Sequence, residues 1–561
     1  MHIIAAEVSS EPELRAYLKK QIYGWSRIIS KQKWAKALEK LNEKDTKQIS
    51  KFDIYSDFSI WFQSIKPYQI LALNRGESLG ILWVKIEKTE NIYEDTLKQY
   101  LYSIEYRGQA TDLLESAFGE WYTALFKSLE NEIRGELSEE GEDDAIASFR
   151  SNLDALLMTQ PVYDKKILAI DPGFRAGCKI VVLDELGTPV AFDKIFLYQK
   201  TESQATLKWL ISKYSPDVIV LGNGTGVDET LELLQDITKI EVYIVNESGA
   251  SVYSASKIAQ EEFPDLDSLD RGTISIGRRY IDPLSELVKV PVESIGVGMY
   301  QHDMPVKKLE EKLSHTVEDV VNRVGINVNA ASSYVLNHIA GIDKRTAKKV
   351  YNNRPYKSRV ELQKVLSDKA YEQAIGFLRV PESKEELDNT DIHPEQYALA
   401  RYIVQHEITH IDELIKINPS QPSLILEKGQ EYFLSPLCKG EMPEGQRGLL
   451  VTQDTLEFIV TSLQEAGQEK RIHSTHKKAQ EKIDPESIGE GSILQGVVRN
   501  VVAFWAFVDI WLKNDWLVHV SQIADRFVSN PADELEVGQK VRVKVMSMEN
   551  GKIQLSIKEA A

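Results

Sequence analysis

The residue with the clearest chemical potential is Asp171, in Ile167-Leu-Ala-Ile-Asp171-Pro172-Gly173-Phe-Arg175-Ala-Gly177-Cys178-Lys179, where a carboxylate follows four apolar residues. A short apolar run closed by Asp and a Pro-Gly turn reads as a buried strand that stops abruptly, with Lys179 to Leu183 returning beside it. That places Asp171 at a sheet edge facing a cleft, where a carboxylate can ligate a hard divalent cation. The same residue can instead open the turn by accepting a backbone hydrogen bond, and the spacing alone leaves both readings open. Downstream, Gly222-Asn223-Gly224-Thr225-Gly226 ends another apolar run and invites a phosphate-loop reading. It lacks the lysine and spacing of a Walker A loop and the full GxGxxG, which favours a loop that shapes the cleft.

The elements that must position Asp171 lie between Lys166 and about Ser294. Strands at Ile167 to Ile170, Lys179 to Asp184 and Pro189 to Ile195 form a meander, followed by a helix from Thr201 to Tyr214. Strand Val218 to Leu221, a further helix and strand Val242 to Val245 complete a mixed sheet with helices on its faces. Residues 1 to about 160 read as helical scaffold, with a β-hairpin expected over Gln69 to Ile86. The acids Glu136, Glu139, Glu140, Glu142, Asp143 and Asp144 read as a solvated helical face. Residues 305 to 385 read as short helices joined by tight turns, and the last 70 or so switch to closely spaced strands, the mark of a small barrel.

At 561 residues the chain is too long for one core. No apolar run approaches a membrane span, and the N-terminus has too short an apolar run for a signal peptide. Two cysteines, Cys178 and Cys438, give no disulfide framework and fit a reducing, cytoplasmic setting. The formal net charge of -18 argues against a general electrostatic sleeve for nucleic acid, so any such contact must be local.

The meander and its Asp resemble the RNase H-like fold, in particular its YqgF and RuvC resolvase branch. The resemblance implies a catalytic two-metal site for magnesium or manganese, with Asp171 as the first ligand. Glu247, in Val-Asn-Glu-Ser-Gly, matches the acidic position of the YqgF group, and Asp282 is a later carboxylate on the closing helix. Asn223 stands where resolvases carry a carboxylate, so a vestigial site fits as well as an active one.

Ser294-Ile-Gly-Val-Gly-Met-Tyr300-Gln-His302-Asp303 and Val317-Glu-Asp-Val-Val-Asn322-Arg-Val-Gly325-Ile-Asn327-Val-Asn329 add to that pattern, as does Leu71-Ala-Leu-Asn-Arg75-Gly-Glu77. His302 and Asp303 have no ligand partners at metal spacing and read as structural. With these runs the chain is identified as a member of the Tex family of bacterial transcription accessory proteins, apparently without the family's N-terminal helix-turn-helix region. The implied fold class is multi-domain α+β: helical scaffold (1–160), RNase H-like α/β domain (161–294), helix-hairpin-helix unit (295–390), helical and loop linker (391–485) and C-terminal OB-fold β-barrel (486–561).

In the first hairpin, Gly341 allows a tight turn that brings helix-terminal amides to a phosphate, with Lys344, Arg345, Lys348 and Lys349 adding attraction. A solvated basic helix is the plain alternative. The second hairpin has Ser367-Asp368 where Gly is expected. The final segment resembles the S1 RNA-binding motif, which assigns Phe504, Phe507 and His519 to base stacking and Arg499, Lys544 and Arg526 to phosphate. Trp505, Trp511 and Trp516 stand where the motif has Gly, which predicts strained loops unless the rings add stacking surface or a reassigned codon makes these positions Gly. The expected partners are single-stranded RNA, DNA through the hairpin, and the transcription machinery, with no membrane. The competing expectation is a metal-dependent nuclease using Asp171, Glu247 and Asp282.

Overall fold

The computed structural model describes residues 12–103, 111–298, 300–405, 407, 431–434, 449–471, 476–479, 488–502, 505–510, 516–526, 528, 531, 534–535, 539–549 and 552–560. Its first module is built on an antiparallel sheet of β1 (Arg27–Gln32), β2 (Asp57–Trp61) and β3 (Leu82–Ile86), in order β2-β1-β3. Alternation along the strands sends Ile28, Leu82, Val84 and Ile86 into a core shared with Leu18, Ile22, Phe126 and Leu129.

The hairpin expected over Gln69 to Ile86 is not formed. Pro67–Ser78 is a helix, begun by Pro at its first turn and by the Gln69 side chain accepting from the Lys66 backbone amide at 2.9 Å, and only Leu82–Ile86 is a strand. The run Ile70 to Leu73 is too short for apolar pattern to separate helix from strand; its Pro start and the helix formers around it decide. The helix carries Arg75, whose guanidinium meets Asp303 at 2.8 Å, so Asp303 is an ion-pair partner.

Within the expected helical scaffold, Thr111–Leu157 is a single helix of 47 residues. Its acidic side is partly spoken for: Glu132 and Glu136 pair with Arg15 and Lys19, while Glu142 and Asp143 hold Lys308 at 3.2 and 2.9 Å. Phe149, Leu153 and Leu157 then pack with Leu313 and Val317 of the Val306–Val324 helix.

The second sheet contains β4 (Ile167–Asp171), β5 (Cys178–Leu183), β6 (Pro189–Ile195), β7 (Val218–Gly222) and β8 (Val242–Val245), with β4 parallel to β7 and antiparallel to β5. Both faces of β4 are covered, which is why it reads as an unbroken apolar run. Leu207, Leu210, Leu233 and Leu234 cover Leu168 and Ile170; Ile274, Ile276 and Tyr280 of the Ser268–Ile281 helix cover Ile167 and Ala169. Truncating Ile170 to Ala would cost about 2–5 kcal/mol. The sixth strand arrives from far along the chain: Lys477–Lys478 (β13) pairs with Ile244 and Tyr243 at the β8 edge. His476 stacks on Tyr280 beside it, ring centroids 4.5 Å apart.

Between these lie the short parallel bridge of β9 (Ile326–Asn327) with β10 (Leu378–Arg379), the helices Ser333–Leu336, Lys344–Asn352 and Asp368–Ala374, and the hairpin pair β11 (Glu431–Leu434) and β12 (Leu449–Thr452). Arg359 is buried among them and donates to the carbonyls of Gly376, Leu378, Leu387, Thr390 and Ile392 and to the Tyr397 hydroxyl. It closes loop backbone that has no sheet or helix to pair with.

The last module is a closed five-stranded barrel of β14 (Ile493–Val502), β15 (Trp505–Asp509), β16 (Trp516–His519), β17 (Lys540–Glu549) and β18 (Lys552–Ser556), in order β14-β15-β16-β18-β17. Val498, Ala506, Val508, Val518, Val543, Val545 and Leu555 fill it. Among the described residues no helix is long and apolar enough to cross a membrane.

Candidate nucleic-acid interface

Three sites were expected from sequence, and the structure assembles them unequally. In the sheet module, Asp171 ends β4 and faces Lys179 across the β4–β5 ladder, with Lys179 Nζ 3.4 Å from Asp171 Oδ2. Glu247 enters the same cleft from the loop after β8. Gly222 and Gly224 make room for it: a Cβ at Gly224 would stand 2.3 Å from Glu247 Oε1, and one at Gly222 2.6 Å from Oε2. The glycine-rich loop therefore serves a side chain of the chain itself, by leaving space for the Glu247 carboxylate. Burial, followed by repulsion from Asp171, raises the Glu247 carboxyl above its ordinary range, and its Oε2 is buried with no hydrogen-bond partner. Asn223 accepts from the Glu247 backbone amide at 3.0 Å, which engages its one acceptor oxygen.

Asp282 does not join this cleft. It caps two helices, closing Ser268–Ile281 and accepting from Ser285 N and Oγ at 3.2 and 2.8 Å, and it pairs with Arg471 at 2.7 Å. The residues just before it, Arg278 and Ile281, sit on Gly187 in the β5–β6 turn, at the end of the sheet away from Asp171. Asp282 lines a separate cleft of about 520 Å³ with Tyr163, Gly325, Arg379, Lys470 and Arg471. The helix does bring an acid toward the first cleft, from its opposite end: Asp270 lies within electrostatic reach of Lys179. Asp267, the cap that opens this helix, was the sequence signal for that end.

These donors do not fit a pair of divalent ions. One carboxylate is already neutralised by a lysine, the amide between them is engaged, and among the described residues no group of three or more His, Cys, Asp or Glu is placed to hold a metal.

In the first hairpin, Gly341 adopts φ +80° and admits the second hairpin closely, since a Cβ there would stand 2.8 Å from Gln373 Cβ. Lys344 and Arg345 are exposed at the start of their helix. Lys348 is 3.8 Å from Glu261, and Lys349 donates to the Val365 carbonyl at 2.6 Å. Asp343 caps the helix by accepting from Thr346 N at 2.8 Å, and this puts a negative charge where a phosphate would approach. At the second hairpin Ser367 takes the capping role, accepting from Ala370 N at 3.3 Å.

In the barrel, Phe507 and Trp505 alternate with the buried Ala506 and Val508 and face outward. Register sets Phe507 opposite Leu517 and Trp505 opposite His519, with the latter rings 4.7 Å apart and edge-on. The four side chains form one apolar and aromatic face with no lysine or acid on it. Leu517 was not anticipated; its alternation with buried Val518 was the available signal. The His519 ring also meets Ser521 Oγ at 2.8 Å, and burial lowers its pKa. Lys544 pairs with Glu559 at 3.0 Å, and Arg526 with Glu534 at 2.8 and 2.9 Å, so both must exchange an acid to take a phosphate. Arg499 is the extra residue of the bulge between Val498 and Asn500; Phe504 and Trp511 lie outside the described residues. Trp505 and Trp516 occupy paired extended strands, so the strain expected at those two positions is not present. The Trp505 indole donates to the Tyr68 hydroxyl, joining the barrel to the first module.

Family models match in five stretches: Tex central region-like (1–149), Tex protein YqgF-like domain (165–281), helix-hairpin-helix motif (321–379), HHH domain (385–431) and S1 RNA binding domain (487–558). The uncharacterized protein YdcI of Bacillus subtilis is 37% identical, over 99% of this chain and 77% of its own length. Protein tex of Bordetella pertussis is 33% identical over 98% of this chain and 70% of its own. The transcriptional accessory protein Tex of Neisseria gonorrhoeae is 34% identical over 90% and 67%.

Proposed function

The chain belongs to the Tex family, and from that premise we propose that it is a cytoplasmic RNA-binding protein that works with the transcription machinery, taking single-stranded RNA on its barrel and nucleic-acid backbone on its first hairpin. The observation that carries the RNA reading is the outward face of Trp505, Phe507, Leu517 and His519, a stacking surface that every base can use. Stacking on rings is open to any base, which favours binding with little sequence preference. We include no nuclease step, because the Asp171 and Glu247 donors do not fit the two ions such a step requires.

A titration of labelled single-stranded RNA into the intact chain and its Phe507→Ala variant tests the reading, with cleavage scored in the same mixtures after adding magnesium or manganese. Phe507→Ala should weaken RNA binding roughly 5- to 100-fold, the range for loss of one stacked ring, and should leave duplex DNA binding unchanged. Unaltered RNA affinity would falsify the barrel assignment. Metal-dependent cleavage abolished by Asp171→Ala would reinstate the nuclease.

A further inference from the structure

The sheet of the first module has one face in the core and one that nothing covers among the described residues. Strand alternation and register put Arg27, Ile29 and Lys31 of β1 on the open face, beside Asp57, Ser59 and Trp61 of β2 and Trp83 and Lys85 of β3. Trp61 and Trp83 are 44% and 39% exposed, although each could have been packed inward by a register slip of a single residue. The guanidinium of Arg27 lies 4.3 Å from the Trp61 ring centre and the ammonium of Lys85 lies 4.2 Å from that of Trp83. Just outside the strand, Trp25 and Trp34 are 66% and 87% exposed. Residues 26–38 carry four cations, Arg27, Lys31, Lys33 and Lys36, and no acid, in a chain whose net charge is -18.

We propose that this face is a second platform for single-stranded nucleic acid, separate from the barrel and hairpin surfaces. The pairing of exposed indoles with cations one ring away is what a single strand requires: flat surface for bases and positive charge for the phosphates between them. Three cations against the lone carboxylate of Asp57 give the open face the sign opposite to that of the whole chain and complementary to a phosphate backbone. The face also lies close to the barrel along the chain. Trp61 is seven residues before Tyr68, which hydrogen-bonds Trp505, and seven residues reach at most about 25 Å even when extended. The two surfaces are thus near enough for one single strand to reach both.

The experiment compares two lengths of oligo(U) and oligo(dT) on the full chain: about 6 nucleotides, within the footprint of one barrel, and about 20, enough to reach both surfaces. The double variant Trp61→Ala/Trp83→Ala should weaken binding of the longer probe roughly 10- to 100-fold and leave the shorter probe unchanged. Trp61→Phe/Trp83→Phe should restore most of the loss, and Lys31→Ala/Lys85→Ala should flatten the dependence on salt by up to about 1.4 in log–log slope. Comparison of the two oligomers shows whether ribose or deoxyribose strands are preferred. Phe507→Ala should weaken the shorter probe; if it does not while Trp61→Ala/Trp83→Ala still weakens the longer one, the barrel assignment fails and the sheet platform stands. Unchanged affinity of the double alanine variant for the longer probe overturns the proposal and leaves the face to a protein partner. An equal loss on both lengths also overturns it, because it marks general damage.

Discussion

Lys179 Nζ stands 3.4 Å from Asp171 Oδ2, directly opposite it on the neighbouring strand, so the acid that most resembles a metal ligand is held by a cation of the chain itself. A lysine so placed neutralises the charge that a divalent ion would otherwise neutralise. Asp171→Ala should therefore leave RNA and duplex affinity within about twofold, since it removes no stacking or phosphate contact. Equilibrium titration of both ligands checks this, and a tenfold loss of either would place the cleft inside the binding surface.

Glu247 gives the same cleft a pH signature. Its carboxyl is raised by burial and by Asp171, so the folded state holds its proton more tightly than the unfolded chain does. Stability from this group is then fully present below the ordinary Glu value and is lost as pH rises through the folded value. Glu247→Gln, which keeps the shape without the charge, should raise the melting temperature at neutral pH by roughly 1–3 °C and lose that advantage near pH 4. Melting curves at several pH values decide the sign; a variant less stable at neutral pH contradicts the account.

The first hairpin makes a prediction that depends on one charge. Asn caps a helix as well as Asp does, but without a carboxylate beside the incoming phosphate. Asp343→Asn should tighten duplex DNA binding by about 2- to 5-fold at a small cost in stability at neutral pH, and Lys344→Ala should lower the salt slope by about 0.9. Filter binding across a salt series reads both. No response to either change would assign this helix to the solvated alternative.

His476 ties the segment after Arg471 to the sheet, and its buried ring is held down to about 4. The unfolded chain protonates it near 6.5, so this contribution is full above that value and falls as pH drops toward about 4, by up to about 1.4 kcal/mol per unit. His476→Phe keeps the stack on Tyr280 and should make stability less sensitive between pH 5 and about 6.5. Chemical denaturation at the two pH values measures the difference, and parallel losses in both proteins would exclude His476 as the source.

What could be read from sequence was whatever nearby residues decide. The β4–β5–β6 meander is set by tight turns and unbroken apolar runs, and the barrel by alternation such as Ala506 and Val508 against Phe507. The helix Pro67–Ser78 was missed because its four-residue apolar run suits either period, and β1 and β2 because their outward residues include Trp61 beside Arg27 rather than a clean polar series. For Asp282, sequence reveals that a helix follows the sheet but not which end of it faces Asp171. β13 is only two residues long, and nothing local marks Lys477 and Lys478 as partners of Tyr243 and Ile244.

That late strand has a consequence for synthesis. β8 leaves the ribosome well before Lys477 does, so through the intervening elongation the nascent sheet presents β8 with one side unpaired. An open edge is a template for another chain's strand. Products of stalled or premature termination before Lys477 should therefore be stickier than the finished protein, and the short β13 is the latch that makes the module safe to release.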